Sequence, residues 1–403
     1  MIRSRAGANR FTSLRCLQAI GLAGLGILLY GSGYICTLVQ GLCEPPNLLA
    51  AGVDISEAFM AEDGGAVFRR LEDNSVAPAL SIVQEHGYQW VRLRIMIDPV
   101  GTYGLAQDLS YVLRMARQAK LVYNLKVLLD VHYSHWWADG QNQWPPKRWK
   151  HPENDTVVDM NTLRGHVFAY TRRVMEVLKE EQVLPDAVQI GNEISSGMLW
   201  EHGKLPSHWD RMEELPKEWN NLKNLIQSGI DAINDVTTPK DRPLIVIHLD
   251  TGGAKDFTEH WLKTYFSLGG SCDVIGLSWY PMWHGSFDDL KANIDNLSNK
   301  FPDKQVWVVE TAYYYEGYCE ASDESCNQKL RFNMTEEGQY DFLRSLRNML
   351  LTTKCKAVFY WGSHWSQPEK WFQGTEKWDD AARRALFDRS GRALKGILGL
   401  VGK

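Results

Sequence analysis

The fold of this chain is decided by apolar runs that end in a carboxylate, and two are especially clear: Asp186-Ala-Val-Gln-Ile-Gly-Asn-Glu193 and Val306-Trp-Val-Val-Glu310. Each run has the length and the nearly continuous apolar character of a strand that is buried on both faces. A carboxylate at the end of such a strand is costly to bury unless it is paired or used in chemistry. Two of them on separate strands therefore predict a site built from two carboxylates.

Similar runs recur along the chain and alternate with helical patterns. The predicted strands occupy residues 49–55, 89–96, 125–133, 186–192, 243–249, 273–280, 305–310 and 356–361. The predicted helices lie near residues 76–87, 106–121, 162–181, 217–236, 257–268, 286–300, 335–352 and 379–398. Strand then helix, eight times, predicts an α/β fold of the (β/α)8 (TIM) barrel type, as one catalytic domain with long βα loops. The alternative is an open doubly wound sheet, but no Gly-rich phosphate loop follows the first strand.

Composition sets further limits on function. The chain has 403 residues, of which 44% are hydrophobic and 23% charged, and its net charge is −5. This is ordinary globular composition with ample length for one large core. A nucleic-acid-binding protein normally carries a basic patch, and the only basic runs are short ones such as Arg172-Arg173. We therefore expect no nucleic-acid partner, and we expect a monomer.

The N-terminus carries a leader pattern, with arginines before a long apolar, Gly-rich stretch at residues 17–39. Such a pattern marks either a cleaved secretory signal or an uncleaved signal anchor. We assign residues 1–47 to this leader and residues 48–403 to the catalytic barrel. Both alternatives put the barrel outside the cytoplasm, secreted or anchored to the membrane through the N-terminal segment.

Cysteines and glycosylation sequons fit that location. The chain has 7 cysteines, and Cys319 and Cys326, which bracket a short polar loop, are predicted to form a disulfide. Cys272 and Cys355 begin predicted strands and either pair with each other or remain buried thiols. N-x-Ser/Thr sequons begin at Asn154, Asn296 and Asn333.

Polar and aromatic residues cluster at the C-terminal ends of the predicted strands. In a (β/α)8 barrel these ends and the loops that follow them build the active-site face. Two of those loops, residues 134–161 and 311–334, are rich in Trp or Tyr, whose flat faces suit a carbohydrate cleft. The residues predicted to bind substrate there are Arg94, His132, Trp137, Asn192, His248, Tyr280 and Trp361.

Paired carboxylates most often serve to cleave a glycosidic bond. One must hold a proton for the leaving oxygen while the other is ionised, so their pKa values must be pushed apart. We assign Glu193 as the acid/base and Glu310 as the nucleophile. Asn192 is placed to bind the sugar 2-hydroxyl, Arg94 to keep Glu310 ionised, and Tyr280 to donate a hydrogen bond to Glu310.

At these residues the chain resembles glycoside hydrolase family 53, the endo-β-1,4-galactanases. The resemblance covers nearly everything from residue 50 to the C-terminus. It is carried by Gly52-Val-Asp54-Ile-Ser56, Trp90-Val-Arg92-Leu-Arg94, Leu129-Asp130-Val-His132-Tyr-Ser134, Trp137-Ala-Asp139, Gln189-Ile-Gly-Asn192-Glu193-Ile, Gly197-Met-Leu-Trp200, Ile247-His248-Leu-Asp250, Gly276-Leu-Ser-Trp279-Tyr280-Pro281, Val308-Val-Glu310-Thr311 and Tyr360-Trp361.

The resemblance implies a retaining mechanism and a polysaccharide substrate, the β-1,4-galactan of type I arabinogalactan in plant cell walls. We predict no cofactor and no metal site. Departures from the family pattern fall on His135, Gly140 and the Gly-Ser-His364-Trp365 run, all expected on cleft loops, so they bear on which polysaccharide is bound. Two alternatives are an endo-glycanase of the same barrel type acting on mannan or β-glucan, and a catalytically silent, membrane-anchored carbohydrate-binding protein.

Overall fold

Eight parallel strands form a closed barrel, as the alternating pattern predicts. The structure is a computed structural model that describes residues 27–30, 34–37, 49–101, 104–206, 216–317, 330–371 and 379–403. The strands are β1 (Ala50–Asp54), β2 (Trp90–Ile95), β3 (Lys126–Val131), β4 (Ala187–Ile190), β5 (Leu244–Leu249), β6 (Val274–Ser278), β7 (Gln305–Thr311) and β8 (Cys355–Tyr360). Each strand pairs with the next in sequence, and β8 pairs with both β7 and β1, which excludes the open sheet.

Helices connect the strands. They are α1 (Ala58–Asp63), α2 (Ala79–His86), α3 (Leu109–Arg117), α4 (Met160–Glu180), α5 (Pro216–Val236), α6 (Lys255–Ser267), α7 (Phe287–Lys300), α8 (Glu336–Leu351), α9 (Pro368–Trp371) and α10 (Asp379–Ala382). Short polar side chains start several of them: Asp159 accepts hydrogen bonds from the first turn of α4, and Ser286 forms a capping box with Asp289 at α7.

The last predicted helix, over residues 379–398, is wrong beyond its first turn. α10 ends at Ala382, and a helical turn returns only at Lys395–Leu398. Between them Asp388 Oδ1 accepts hydrogen bonds from the backbone N–H groups of Ser390 (2.8 Å) and Arg392 (3.1 Å). Gly391 has φ of +83°. An aspartate and a glycine so placed favour a turn over a continued helix.

The structure describes only some of the cysteines for which the sequence made predictions. Cys272 and Cys355 are buried thiols and are not joined to each other, and burial raises the pKa of both to about 12. Cys319 and Cys326 lie outside the described residues.

The chain divides into two units, Met1–Asn47 and Leu48–Lys403. Within the first unit, Ile27–Tyr30 pairs antiparallel with Tyr34–Thr37. In the part of the chain that the structure describes, no helix combines the length and the apolar character needed to cross a membrane.

The half of the barrel interior that lies away from the C-terminal ends of the strands is filled by aromatic and aliphatic side chains. Trp90, Trp307 and Phe359 pack together there, with ring centroids 5.2–6.1 Å apart. Phe359 enters the barrel over Gly52 of β1, where an added Cβ would lie 2.3 Å from the Phe359 ring. This packing closes the bottom of the barrel, so ligands have access only from the end where the strands finish.

Replacing Gly52 by alanine should therefore lower the free energy of unfolding by about 1–3 kcal/mol, because the new methyl group overpacks a full core. The matched control is Gly165→Ala in α4, where no atom lies within 4 Å of the added Cβ. That change should raise stability by up to about 1 kcal/mol, because alanine favours helix over glycine. Chemical denaturation of both variants measures the difference. Equal stability of Gly52→Ala and the parent protein would contradict this account of the barrel interior.

Candidate active site

Towards the C-terminal ends of the strands, charged side chains take the place of the apolar plug, which is the cluster of Trp90, Trp307 and Phe359. Along β2, every second residue faces the barrel interior, so Trp90 in the plug is followed by Arg92 and then Arg94. Both arginines are 1% exposed. The same alternation places Asp130 of β3 and His248 of β5 inside the barrel, each 0% exposed. A dense polar layer therefore lies on top of the aromatic core.

Glu310 enters this layer because β7 contains a bulge. Trp307 pairs with Gly276 and Glu310 pairs with Ser278, so three steps along β7 match two along β6. Plain alternation from the inward-facing Trp307 and Val309 would point Glu310 outwards. The extra residue turns its side chain into the barrel instead. The nucleophile assigned from the sequence thus owes its orientation to an irregularity in the strand.

Glu193 reaches the same space from a strained turn. β4 ends at Ile190, after which Gly191 has φ of +79° and Glu193 has φ of +50°, in the left-handed region. A non-glycine residue held there is typical of functional sites. The Glu193 Oε1 atom lies 2.5 Å from the Ser278 hydroxyl. One carboxylate oxygen of Glu193, one of Glu310 and a ring nitrogen of His248 all lie within 4.8 Å of one another.

A Glu-His-Glu group of this kind has the ligand types of a metal site. Both ring nitrogens of His248, however, already face hydrogen-bonding groups: Nδ1 is 2.9 Å from Asn192 Oδ1, and Nε2 is 2.8 Å from Ser278 Oγ. Metal binding by this group would therefore require His248 to give up one of these two contacts.

Arg92 is the ion-pair partner of Glu310, so the predicted pairing with Arg94 is wrong. Arg92 NH1 lies 2.8 Å from Glu310 Oε1 and 3.0 Å from Asp54 Oδ2. Arg92 NH2 lies 2.8 Å from both Asp130 Oδ2 and Asn192 Oδ1. Each terminal nitrogen of the guanidinium thus contacts two buried acceptors, and the contact with Glu310 is an ion pair.

Arg94 lies one inward-facing position further along β2 and turns away from Glu310. Its NH2 lies 2.5 Å from Glu57 Oε1, and its guanidinium stacks over the Trp137 ring, 4.1 Å from the ring centroid. Burial raises the pKa of Glu57 to about 7 although Arg94 opposes this shift. Arg94 still lines the cleft, where it supports Trp137.

The two glutamates experience different electrostatic environments. Burial, the charge of Glu310 and that of Asp250 together raise the pKa of Glu193 well above its usual value. Burial also raises the pKa of Glu310, but Arg92 and the Tyr280 hydroxyl act against that shift. The Tyr280 hydroxyl donates to Glu310 Oε2 at 2.9 Å, as predicted from the sequence. When the two carboxylates hold one proton between them, that proton is therefore more stable on Glu193 than on Glu310.

The two predicted histidines are held by buried hydrogen bonds, and they differ in whether they line the cleft. His132 Nε2 lies 3.0 Å from Asp130 Oδ2, and its Nδ1 accepts from the Ala138 N–H at 3.2 Å, so both nitrogens are occupied. His132 lines the cleft through its ring. His248 is 0% exposed and lies behind the cleft wall, so its predicted contact with substrate is corrected. Its partners are Asn192 and Ser278.

Asn192 lines the cleft with one amide hydrogen still to give. Its Oδ1 accepts from Arg92 and from Gln189 Nε2 (3.1 Å), and its Nδ2 donates to the Ala138 carbonyl at 2.8 Å. An amide nitrogen carries two hydrogens, so the second remains available to a sugar hydroxyl.

The cleft above these groups has a volume of about 600 Å³. Its walls include all of the predicted site residues except His248. The walls also include residues that were not predicted to bind substrate: Ala138, Asp139, Gly140, Gln141, Asp250, Trp283, His284 and Arg384. Trp361 lies among them and packs with Trp137 and Trp365, at centroid distances of 6.3 and 6.1 Å.

Arg384 is the least expected wall residue, because it comes from the segment after β8 that the sequence predicted as helix. It is 7% exposed, and its NH2 lies 2.9 Å from Asp380 Oδ2. Its guanidinium lies 5.3 Å from the Trp361 ring centroid and 5.6 Å from that of Trp283. Nothing in the local sequence around Arg384 signals that position.

The departures from the family pattern fall in different places. An added Cβ at Gly140 would lie 2.2 Å from Asp250 Oδ2, so the cleft has no room for a larger residue there. His364 and Trp365 are 0% exposed, and His364 packs against Phe68, at a centroid distance of 5.2 Å. The expectation that His364 lies on the cleft surface is therefore wrong. His135 lines a separate, smaller pocket of about 260 Å³.

Comparison with known proteins agrees with this geometry. The model of the family described as "Glycosyl hydrolase family 53" matches residues 50–400. Arabinogalactan endo-β-1,4-galactanase A of Aspergillus niger is 30% identical over 337 residues, which cover 80% of this chain and 87% of that protein. The solved GH53 catalytic domain of Ignisphaera aggregans has a TM-score of 0.75 at 32% identity and covers 90% of this chain and 98% of its own.

A solved structure described as one of two fungal β-1,4-galactanases has a TM-score of 0.73 at 26% identity, with 88% of this chain and 99% of that chain covered. The family match spans the whole barrel and the paired glutamates within it. The chain therefore belongs to glycosyl hydrolase family 53 and is a glycoside hydrolase.

Proposed function

We propose that the enzyme is a retaining endo-β-1,4-galactanase, with Glu193 as acid/base and Glu310 as nucleophile. The observation that carries the mechanism is that one carboxylate oxygen of Glu193 and one of Glu310 lie within 4.8 Å of each other. Retaining enzymes hold them about 5–5.5 Å apart, whereas inverting enzymes leave about 6.5–9.5 Å for a water molecule. The short separation supports direct attack by Glu310 on the sugar.

The two chemical steps follow from the electrostatics of the pair. In the first, ionised Glu310 attacks the anomeric carbon while Glu193 gives its proton to the departing glycosidic oxygen, leaving a glycosyl ester on Glu310. The ester carries no charge, so the like-charge repulsion that raises the pKa of Glu193 is lost. Glu193 then acts as base and takes a proton from water while the water oxygen attacks the anomeric carbon, which breaks the bond between that carbon and Glu310. Glu193 is protonated and Glu310 ionised again at the end.

The substrate assignment draws on the relatives and on the cleft. Proteins named arabinogalactan endo-β-1,4-galactanase are 30% identical to the chain over most of its length. The cleft presents Trp137, Trp361 and the 54%-exposed Trp283 beside the paired glutamates. Flat indole faces with nearby hydrogen-bond donors suit a polysaccharide rather than a small charged ligand.

Incubation with debranched β-1,4-galactan, mannan and barley β-glucan tests this assignment. We expect new reducing ends from galactan, at least about tenfold faster than from the other two, because one misplaced hydroxyl in a buried polar site costs on the order of 1–3 kcal/mol. Proton NMR of the earliest products should show the β-anomer. Faster cleavage of mannan or β-glucan would establish the alternative glycanase. Tight galactan binding without cleavage would establish a silent binding protein.

Two glutamate variants separate the proposed roles. Glu310→Gln should lose on the order of 10⁴-fold or more of kcat on every substrate, because no nucleophile remains. Glu193→Gln should lose about 10²–10⁴-fold of kcat/KM on galactan. It should lose far less on an aryl galactoside whose phenol leaves without a proton. The control is Glu180→Gln on the exposed face of α4, expected to retain parental rates. Equal losses by Glu193→Gln on both substrates would contradict its role as acid.

We further propose that the barrel acts outside the cytoplasm, secreted or held by its N-terminal segment. The support is the basic and apolar leader together with sequons whose asparagines are exposed in loops, Asn154 and Asn333. Asn296 is half-buried in α7 and donates to Glu259 at 2.7 Å, so we expect no glycan there. Expression in a secreting eukaryotic host, followed by glycosidase treatment and mass spectrometry, should show glycans on the exposed pair. Retention of an unglycosylated barrel in the cytoplasm would oppose this proposal.

A further inference from the structure

A chain of buried hydrogen bonds leads from Arg92 to the acid/base by a route that does not pass through Glu310. Arg92 NH2 is 2.8 Å from Asn192 Oδ1, which is 2.9 Å from His248 Nδ1. His248 Nε2 is 2.8 Å from Ser278 Oγ, which is 2.5 Å from Glu193 Oε1. His248 and Ser278 are both 0% exposed, so water does not compete for these contacts.

The direction of this chain is set at its Arg92 end. A guanidinium only donates hydrogen bonds, so the Asn192 atom that contacts it must be the carbonyl oxygen. The other amide atom donates to the Ala138 carbonyl, which requires the same orientation. Since Asn192 Oδ1 is thus an acceptor, the nitrogen of His248 that faces it at 2.9 Å is favourable only as N–H.

His248 is neutral, so it carries only one ring proton. Burial and the nearby Arg92 hold the pKa of His248 well below its usual range. With the proton on Nδ1, Nε2 is an acceptor and takes the Ser278 hydroxyl proton. The Ser278 oxygen then faces Glu193 with lone pairs only, and a carboxyl oxygen 2.5 Å away must supply the hydrogen.

We propose that Ser278 and His248 are positioning residues that keep the catalytic proton on Glu193, with Arg92 at the far end fixing their direction. This inference rests on the proposed role of Glu193 as acid/base. Arg92 would then set both protonation states of the pair. It stabilises the ionised nucleophile by direct contact, and it stabilises the protonated acid through Asn192, His248 and Ser278.

The opposite direction of the Ser278–Glu193 hydrogen bond would lower the pKa of Glu193 instead of raising it. If the Ser278 hydroxyl donates to an ionised Glu193, it lowers the pKa of that carboxyl. This arrangement needs the proton of His248 on Nε2, and it lets the Glu193 N–H donate to Nδ1 at 3.3 Å. It also turns a bare Nδ1 towards the carbonyl oxygen of Asn192, which is repulsive at 2.9 Å. The shorter contact, to a partner locked by Arg92, favours the first arrangement.

Other charges act on the same groups and must be constant in any test. Those that act on Glu193 are Glu310, Asp250 and Asp139, and Tyr280 also lies near it. Those that act on His248 are Arg92, Asp130, His132 and His284. None of them changes when the Ser278 hydroxyl is removed, so a shift measured in that variant reports the hydroxyl itself.

The test is the pKa of Glu193 in Ser278→Ala, from the ¹³C NMR titration of carboxyl-labelled glutamate, assigned with Glu193→Gln. We expect a fall on the order of one pH unit, because the protonated form loses its acceptor. The limb of the kcat/KM profile where activity declines with rising pH, which needs Glu193 protonated, should move down equally. Ser228→Ala, which removes a hydroxyl bonded within α5, is the control and should shift neither value. A raised or unchanged Glu193 pKa would overturn the proposal.

A second measurement needs no variant that might misfold. Nitrogen-15 NMR of histidine-labelled parent enzyme distinguishes the two neutral tautomers, and the proposal requires His248 to carry its proton on Nδ1. A proton on Nε2 would refute it. The two NMR measurements are made without substrate, so they test the inference even in an enzyme that leaves galactan intact. Conversely, normal galactan cleavage with an unshifted Glu193 pKa would reject this inference alone.

Discussion

The active site depends on one buried cation. Arg92 is 1% exposed, and two nitrogens of its guanidinium each contact two acceptors, which belong to four different strands or strand ends. A buried charge is tolerated only when partners replace the lost water, and here Asp54, Asp130 and Glu310 do so. A lysine ammonium lacks the planar fork that allows this set of contacts. The positions of the Asp54, Asp130 and Glu310 carboxylates therefore all depend on the Arg92 guanidinium.

Much of this architecture is legible in the sequence because the barrel is repetitive. Buried parallel strands read as apolar runs, and their C-terminal ends must meet on one face. That reasoning places Glu193 and Glu310 together without any coordinates. It fails over residues 383–394, where the hydrophobic spacing fits a helix but Asp388 and Gly391 form a turn whose backbone bonds replace the helical ones.

The wrong predictions about individual side chains arise because contacts between distant parts of the chain, rather than local sequence patterns, decide where those side chains lie. Alternation puts Arg92 and Arg94 on the same face of β2, but it says nothing about their depth, and depth decides which one meets Glu310. The bulge in β7 leaves no mark in Val306-Trp-Val-Val-Glu310, since it arises from the pairing of three strands. Histidine is a residue type that often contacts substrate, but His248 is fully buried, and the sequence pattern does not reveal that burial. Arg384 approaches through tertiary packing from a segment whose pattern suggests only a surface helix.

The β7 bulge has a consequence for how such a barrel can diversify. The long connections after the strands can gain or lose residues while the two carboxylates remain where they are. The pairing of β7 fixes Glu310, and the turn that directly follows β4 fixes Glu193. One residue removed from or added to β7 before Glu310 would exchange the inward and outward faces of its end, and the carboxylate would move from the cleft to the helix layer. New subsites can therefore evolve by insertions and deletions in the loops, whereas β7 tolerates neither an insertion nor a deletion before Glu310.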